Sequence, residues 1–320
     1  MAGVSFCNRY VLLQKGANVT KDKEGYRNRL VTKVESVLEI PEDVSEIVSN
    51  LSDFALFLTV MKNPKAYRIT LSIILEEPDI QLKEVKVEQV ILNKSGKRAI
   101  RLDAWALSSD DRQFDMEMQN DKDQDSLPKR SRFYQGLMDS PVLKSGKKTR
   151  YRQLLSSTII FITQDDIFKR DLAKYTFTEQ CEEIRDLKLE DGTQKIFLNM
   201  TSKNGSKELI SLLQYMKKTD INNPEILMKD ARLLELDSIV AEVRESEEWE
   251  AVKMDLIDIG IRRGLKQGLE QGIEQGIKAL IETCKELNFS GKDTQNKLMQ
   301  KFDLSEEKAN AYIDKYWKEK

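Results

Sequence analysis

"RLDAWALSSDDRQFDMEMQ", residues 101–119, decides how the chain is read. Apolar and polar residues alternate on either side of "SSDDRQ", whose composition is that of a turn, so the stretch predicts two strands of a hairpin. Alternate residues of an extended strand share a face, which puts Asp115, Glu117 and Gln119 on one side and Phe114, Met116 and Met118 on the other. The preceding strand places Arg101 and Asp103 together, with Leu102 opposite. Antiparallel pairing then brings Asp103 close to Glu117, because neighbouring strands lie about 4.8 Å apart. Two carboxylates at that distance repel, and a shared divalent cation is one way to keep both ionised. The plainer reading is a hairpin with one solvated acidic face, and alternation alone does not choose between the two. Asp110 and Asp111 belong to the turn, and Asp115 precedes Glu117 by one pleat repeat as an outer acid of the same face.

Upstream, "LSDFALFLTVMKNPKAYRITLSIILEE" reads as two helical pieces around Asn63-Pro64, with Ser52 as N-cap and Pro78 as the stop. "DIQLKEVKVEQVILN" has the period of a strand, so three successive strands are expected. Downstream, "LPKRSRFYQGLMDS" predicts a helix opened by Pro128, and the unbroken apolar run "SSTIIFIT" suits a buried strand. Asp191-Gly192 in "LKLEDGTQKIFLNM" predicts a further hairpin. Helices are expected over 206–218 and 223–258 and again from about 279. An amphipathic helix over "NRLVTKVESVLEI" is expected within the N-terminal 50 residues, to which no role attaches. The order helix, three strands, helix, strand, then helices argues for an α/β core with a helical C-terminal extension, the boundary falling near Ser202 to Lys207.

Between the helical stretches stands "GIRRGLKQGLEQGIEQGIK", with Gly260, Gly264, Gly268, Gly272 and Gly276. In a helix each glycine costs about 0.8–1 kcal/mol relative to alanine. A period of four also drifts by about 40° per repeat around the helix. The repeat therefore reads either as a marginal helical connector or as a self-association helix.

Composition removes several classes of chemistry. The 320 residues contain no histidine, which excludes Ser/His/Asp and Cys/His catalysis and histidine-metal sites. The three cysteines, Cys7, Cys181 and Cys284, form no CxxC pair and no disulfide framework, so a reducing cytoplasmic setting fits. "MAGVSFCNRYVLLQKG" lacks the apolar core of an export signal, and no apolar run approaches membrane length, so no membrane partner is expected. A net charge of −2 exerts no global pull on nucleic acid. Locally the balance differs: residues 128–152 carry Lys129, Arg130, Arg132, Lys144, Lys147, Lys148, Arg150 and Arg152 against Asp139 alone, a balance of +7. Such a patch suits DNA phosphates, although a solvated basic loop has the same composition. No helix-turn-helix or zinc module accompanies it, so strong sequence readout is not expected.

The run from "SDFALF" through "RLDAWA", "FDMEMQ", "LPKRSRFYQGLMD" and "STIIFITQDDIF" resembles the recombination-promoting nuclease family, also called PD-(D/E)XK nuclease family transposases. The resemblance is close over residues 51–200, and a glycine-glutamine repeat with a helical tail is common in that group. It implies a restriction-endonuclease-like α/β core over 51–205, followed by a helical region at 206–258, the repeat connector at 259–280 and a helical tail at 281–320. It also implies a DNA endonuclease using magnesium, with manganese or calcium as alternatives, and a role in recombination, mobile elements or defence. Asp103 and Glu117 match the motif carboxylates as metal ligands, and Asp53 matches an acidic position that completes the metal shell. Gln119 stands where the usual lysine would be; glutamine variants are usual in this family, but an amide supplies no positive charge. On the following helix, Arg132 and Gln135 are assigned to phosphate binding or water positioning, and Arg130, Arg132, Lys147, Lys148, Arg150 and Arg152 to DNA. The alternative from another class is a catalytically silent DNA-binding or assembly protein that forms homo-oligomers through its helical tail.

Overall fold

The computed structural model describes residues 49–93, 96–120, 126–143 and 149–317. The N-terminal helix expected over "NRLVTKVESVLEI" and the cations Lys144, Lys147 and Lys148 lie outside the described residues.

Helix α1, Phe54–Met61, leads into α2, Pro64–Leu75. Asn63 caps α2 by accepting from the Lys65 and Ala66 amides, with Pro64 in the first turn. The α1 cap is Asp53 rather than Ser52: its side chain closes no helical amide and instead accepts from the Asn50 N–H at 2.6 Å. Strands β1 (Leu82–Ile91), β2 (Ile100–Ser108) and β3 (Arg112–Gln119) then form an antiparallel meander. Helix α3, Leu127–Asp139, carries the chain to β4, Ser156–Thr163, which runs parallel to β3. Strands β5 (Lys174–Phe177) and β6 (Thr193–Asn199) complete a six-stranded mixed sheet in the order β1-β2-β3-β4-β6-β5.

Both faces of this sheet are covered, and that fixes the environment of the acids. On one face Ala104, Ala106, Phe114, Met116, Met118, Ile160 and Ile162 pack under the α1–α2 pair and under α4 (Lys207–Lys217) and α5 (Ala231–Arg244). On the other, Leu102, Trp105, Ile159, Phe161 and Phe197 meet Leu127, Tyr134, Leu137 and Met138 of α3. β4 is buried on both sides, as its unbroken apolar run requires. The first core continues through α4 and α5 to Trp249, so the boundary expected near Ser202 to Lys207 is absent. Those helices carry apolar side chains that the sheet and the α1–α2 pair bury.

The hairpin expected around Asp191-Gly192 is also corrected. β6 pairs with β4 in parallel and with the four-residue β5 in antiparallel, while residues 187–190 form no strand. Gly192 is needed for another reason: its φ is +80°, and a Cβ there would lie 2.8 Å from Ser156 Oγ.

The glycine repeat sits inside α6, Glu247–Glu286, an unbroken helix of 40 residues. Helix formation over 223–258 is interrupted, since residues 221–230 precede α5 without helical structure and Ser246 caps α6. At its far end α6 packs with α7 (Gly291–Phe302) and α8 (Glu306–Tyr316) around Ile277, Ile281, Leu298 and Ala309. Added Cβ atoms at Gly260, Gly264, Gly268 and Gly272 would meet nothing within 4 Å among the described residues, whereas at Gly276 one would press on the Phe302 ring at 3.3 Å. Gly264→Ala and Gly268→Ala are accordingly expected to stabilise the chain by about 0.8–1 kcal/mol each, read as a higher midpoint in urea. A loss on either substitution would show that a partner approaches the glycine face.

Candidate active site

The pairing of β2 with β3 runs from Leu107–Gln113 to Ala104–Met116 and stops there. Beyond it, side chains replace the backbone ladder. The Asp103 N–H donates to Glu117 Oε1 at 2.9 Å, and the Met118 N–H donates to Asp103 Oδ2 at 3.3 Å. Strict alternation in β2 is lost at the same place: Leu102 shares the core of Trp105 instead of facing away from it, and Glu88 on β1 takes a left-handed φ of 52°. The expected proximity of Asp103 and Glu117 is therefore realised, with each carboxylate satisfying a backbone amide of the other strand.

Neither acid is solvated in the manner of an open hairpin. Glu117 and Asp115 are 0% exposed and Asp103 6%, because α3 lies across this face of the sheet. Burial pushes the Asp103 carboxyl up to about 6, against the lowering effects of Arg130, the Met118 N–H and Arg101. Burial and the Asp103 charge push Glu117 up to about 8, although Arg130 and the Asp103 amide oppose them. Asp115 is raised well above the usual carboxylate range, first by burial and then by Glu117 and Asp103. Its two oxygens have no hydrogen-bond partner among the described residues, so nothing compensates the burial of its charged form. Asp115 is thus a buried member of the cluster rather than an outer acid.

Arg130, in the first turns of α3, supplies the local cation. Its Nη2 lies 2.5 Å from Glu117 Oε2, Nη1 donates to Gln119 Oε1 at 2.9 Å, and Nε donates to the Tyr134 hydroxyl at 2.9 Å. The guanidinium also rests over the Tyr134 and Phe161 rings. Composition suggested that Arg130 was part of a surface patch; instead it is an internal partner of the carboxylates. The available signal was the i,i+4 spacing of Arg130 and Tyr134, which sets both on the helix face toward the sheet.

The other assignments on α3 separate. Arg132 is exposed. Gln135 is buried and donates to the Ser157 carbonyl and hydroxyl at 3.1 and 3.0 Å. Ser157 pairs with Gln113, four residues from Glu117 along β3, so Gln135 acts about 13 Å away, at the opposite end of the strand. It ties α3 to β4 and does not reach the carboxylates. Among the basic residues, Lys129, Arg132, Arg150 and Arg152 are exposed and form no salt bridge among the described residues.

Asp53 stands at the same end of the sheet. Its neighbour Ser52 accepts from the Asn120 side chain just after β3, and its other neighbour Phe54 lies under Arg101. Among the described residues, however, no group of three or more Asp, Glu or Cys side chains converges as metal ligands. The donor set that does converge is the Asp103 and Glu117 pair. One oxygen, Asp103 Oδ1, accepts no hydrogen bond among the described residues. Oxygen donors in that number suit magnesium, which retains several waters, and a cation there would offset the burial that raises both carboxyls and the Asp103 charge that raises Glu117 further.

What the architecture defines is a mixed α/β protein with a buried carboxylate pair and one arginine at the carboxyl ends of two parallel strands, the usual ligand-binding edge of such sheets. No protein-family model, curated protein or solved structure matches the chain. Among the described residues, no helix is long and apolar enough to cross a membrane.

Proposed function

We propose that the chain is a divalent-metal-dependent DNA endonuclease with weak sequence preference, built on a PD-(D/E)XK core of the recombination-promoting nuclease type and working in the cytoplasm. The observation that carries this reading is the junction of Asp103 and Glu117 where the β2–β3 ladder ends. The helix, three-strand meander, helix and parallel strand that frame it support the same reading. Asp103 and Glu117 would hold the cation through oxygen, with Asp53 the nearest further acid by position in the fold. When bound, a divalent cation would activate water and offset charge building on the phosphate. In hydrolysis the water oxygen bonds to phosphorus, the bond to the leaving oxygen breaks, and the proton lost by water is matched by one taken up by that oxygen. The exposed cations Lys129, Arg132, Arg150 and Arg152 would meet the DNA backbone, giving affinity that falls steeply with salt.

Supercoiled plasmid incubated with the purified full chain and magnesium or manganese tests this reading. Nicked and linear products, lost on chelation, are the expected result.

A second reading is favoured by the same arginine. Arg130 already neutralises Glu117, so the cluster also suits a catalytically silent DNA-binding or assembly protein that self-associates along the open stretch of α6. Retarded DNA with no cutting under any of the divalent cations supports that alternative.

A further inference from the structure

Gln119 leaves the strand without the positive charge that a lysine at that position would direct at a phosphate. We propose that Arg130 is the phosphate-contacting cation of this site, acting from α3 in place of a lysine on β3; the role rests on the nuclease reading above. Gln119 has a definite part in it. Its amide oxygen accepts from Arg130 Nη1 at 2.9 Å while its Nε2 donates to the Met118 carbonyl at 3.1 Å, so the side chain is fixed and holds the guanidinium. Lysine at position 119 would repel Arg130, whereas glutamine positions it.

The arginine has capacity to spare. A guanidinium carries five N–H donors, and the bonds to Glu117, Gln119 and Tyr134 use three. The Arg130 side chain is 27% exposed beside a Glu117 that is 0% exposed, so it forms the solvent-facing edge of the cluster. Two donors on a clamped, planar cation suit two oxygens of one phosphodiester. Arg130 is also the group that balances Glu117 before any cation arrives, so a cation and Arg130 compete for the same carboxylate. The site thereby carries a fixed charge that faces carboxylate on one side and can meet phosphate on the other.

Cleavage by the full chain and its Arg130→Gln variant tests the role. The variant is expected to cut about 10²–10³-fold more slowly, while its DNA affinity in calcium stays within about threefold, since the exposed cations remain. Adding Gln119→Lys to Arg130→Gln is expected to recover at least about tenfold of the loss, because lysine returns the charge from the strand. Calorimetric titration of manganese provides a readout apart from activity. Arg130→Gln should bind the ion at least as tightly as wild type, and a loss of affinity beyond about tenfold would mean that Arg130 merely holds the pocket together. If Arg130→Gln fails to fold, Arg130→Lys keeps the charge; it should cut more slowly than wild type, because an ammonium cannot hold Glu117, Gln119 and a phosphate in one plane. Wild-type rates in Arg130→Gln or Arg130→Lys, or a loss that Gln119→Lys does not reverse in a folded variant, overturn this role and leave the nuclease reading standing. A wild-type chain that cuts with no divalent cation overturns both.

Discussion

Glu117→Gln and Asp103→Asn are each expected to reduce magnesium-dependent DNA cleavage on the order of 10³-fold or more. The effect is large because both side chains serve twice: they are the proposed oxygen donors to the cation, and they satisfy the amides that the broken β2–β3 ladder leaves open. The amide variants separate those duties. Glutamine and asparagine keep a carbonyl oxygen that can accept from the Asp103 or Met118 N–H, yet they remove the negative charge a cation needs. Melting temperatures should therefore stay within about 5 °C of wild type, while cleavage is lost. Glu117→Ala should do worse in both respects, leaving the Asp103 amide buried without an acceptor and Arg130 without even a neutral oxygen to bond at position 117. If both amide variants cut as fast as wild type, the carboxylate pair is not the reacting site.

The second large effect is on stability against pH. Asp103 and Glu117 are raised to about 6 and about 8 in the folded chain, above their usual values near 4. Between about pH 4 and pH 8 the folded state then holds protons that the unfolded state has released. Stability contributed by this cluster is complete at the acid end and is lost as pH rises, by on the order of 8 kcal/mol across the window. Asp115 acts with the same sign, because its folded value is raised further still. Urea midpoints at pH 5 and pH 8 measure the difference: wild type should unfold at lower urea at pH 8. Asp115→Asn, which needs no proton to stay neutral, should narrow the gap by raising the pH 8 midpoint. Magnesium added at pH 8 should raise the wild-type midpoint as well, since a cation held by the proposed site would bind the ionised pair. Equal wild-type midpoints at the two pH values would mean that the acids are not crowded in a dry site.

Much of the sheet was legible because its signals are local. The turn "SSDDRQ", the alternation of "FDMEMQ" and the apolar run "SSTIIFIT" each act within a few residues, and β2, β3 and β4 fall where they predict. The register that juxtaposes Asp103 and Glu117 follows from that turn. Alternation separates two faces of a strand without saying which is wet, and here α3 dries the polar one. Long-range packing also decided the misses. β5 is four residues long, too short to stand out, so "LKLE" before Asp191-Gly192 reads as the partner of β6 in its place. Arg130 and Arg132 look alike in composition, but two residues turn a helix by about 200°, which sends one to Glu117 and the other to solvent. The glycine repeat reads as a weak helix by propensity, yet it lies between two well-packed ends, at Trp249 and at Ile277, that keep α6 continuous.

That last feature bears on how the chain unfolds. The core under the α1–α2 pair ends at Trp249 with Val252 packed against it, and the α6–α7–α8 core begins at Ile277. Between Lys253 and Gly276 no residue of α6 is buried, and its 24 residues span about 36 Å at the helical rise. The two cores therefore share a rod and no common interior. Melting of the distal one can run ahead of the other, and cooperativity between them depends on a span whose own propensity favours fraying.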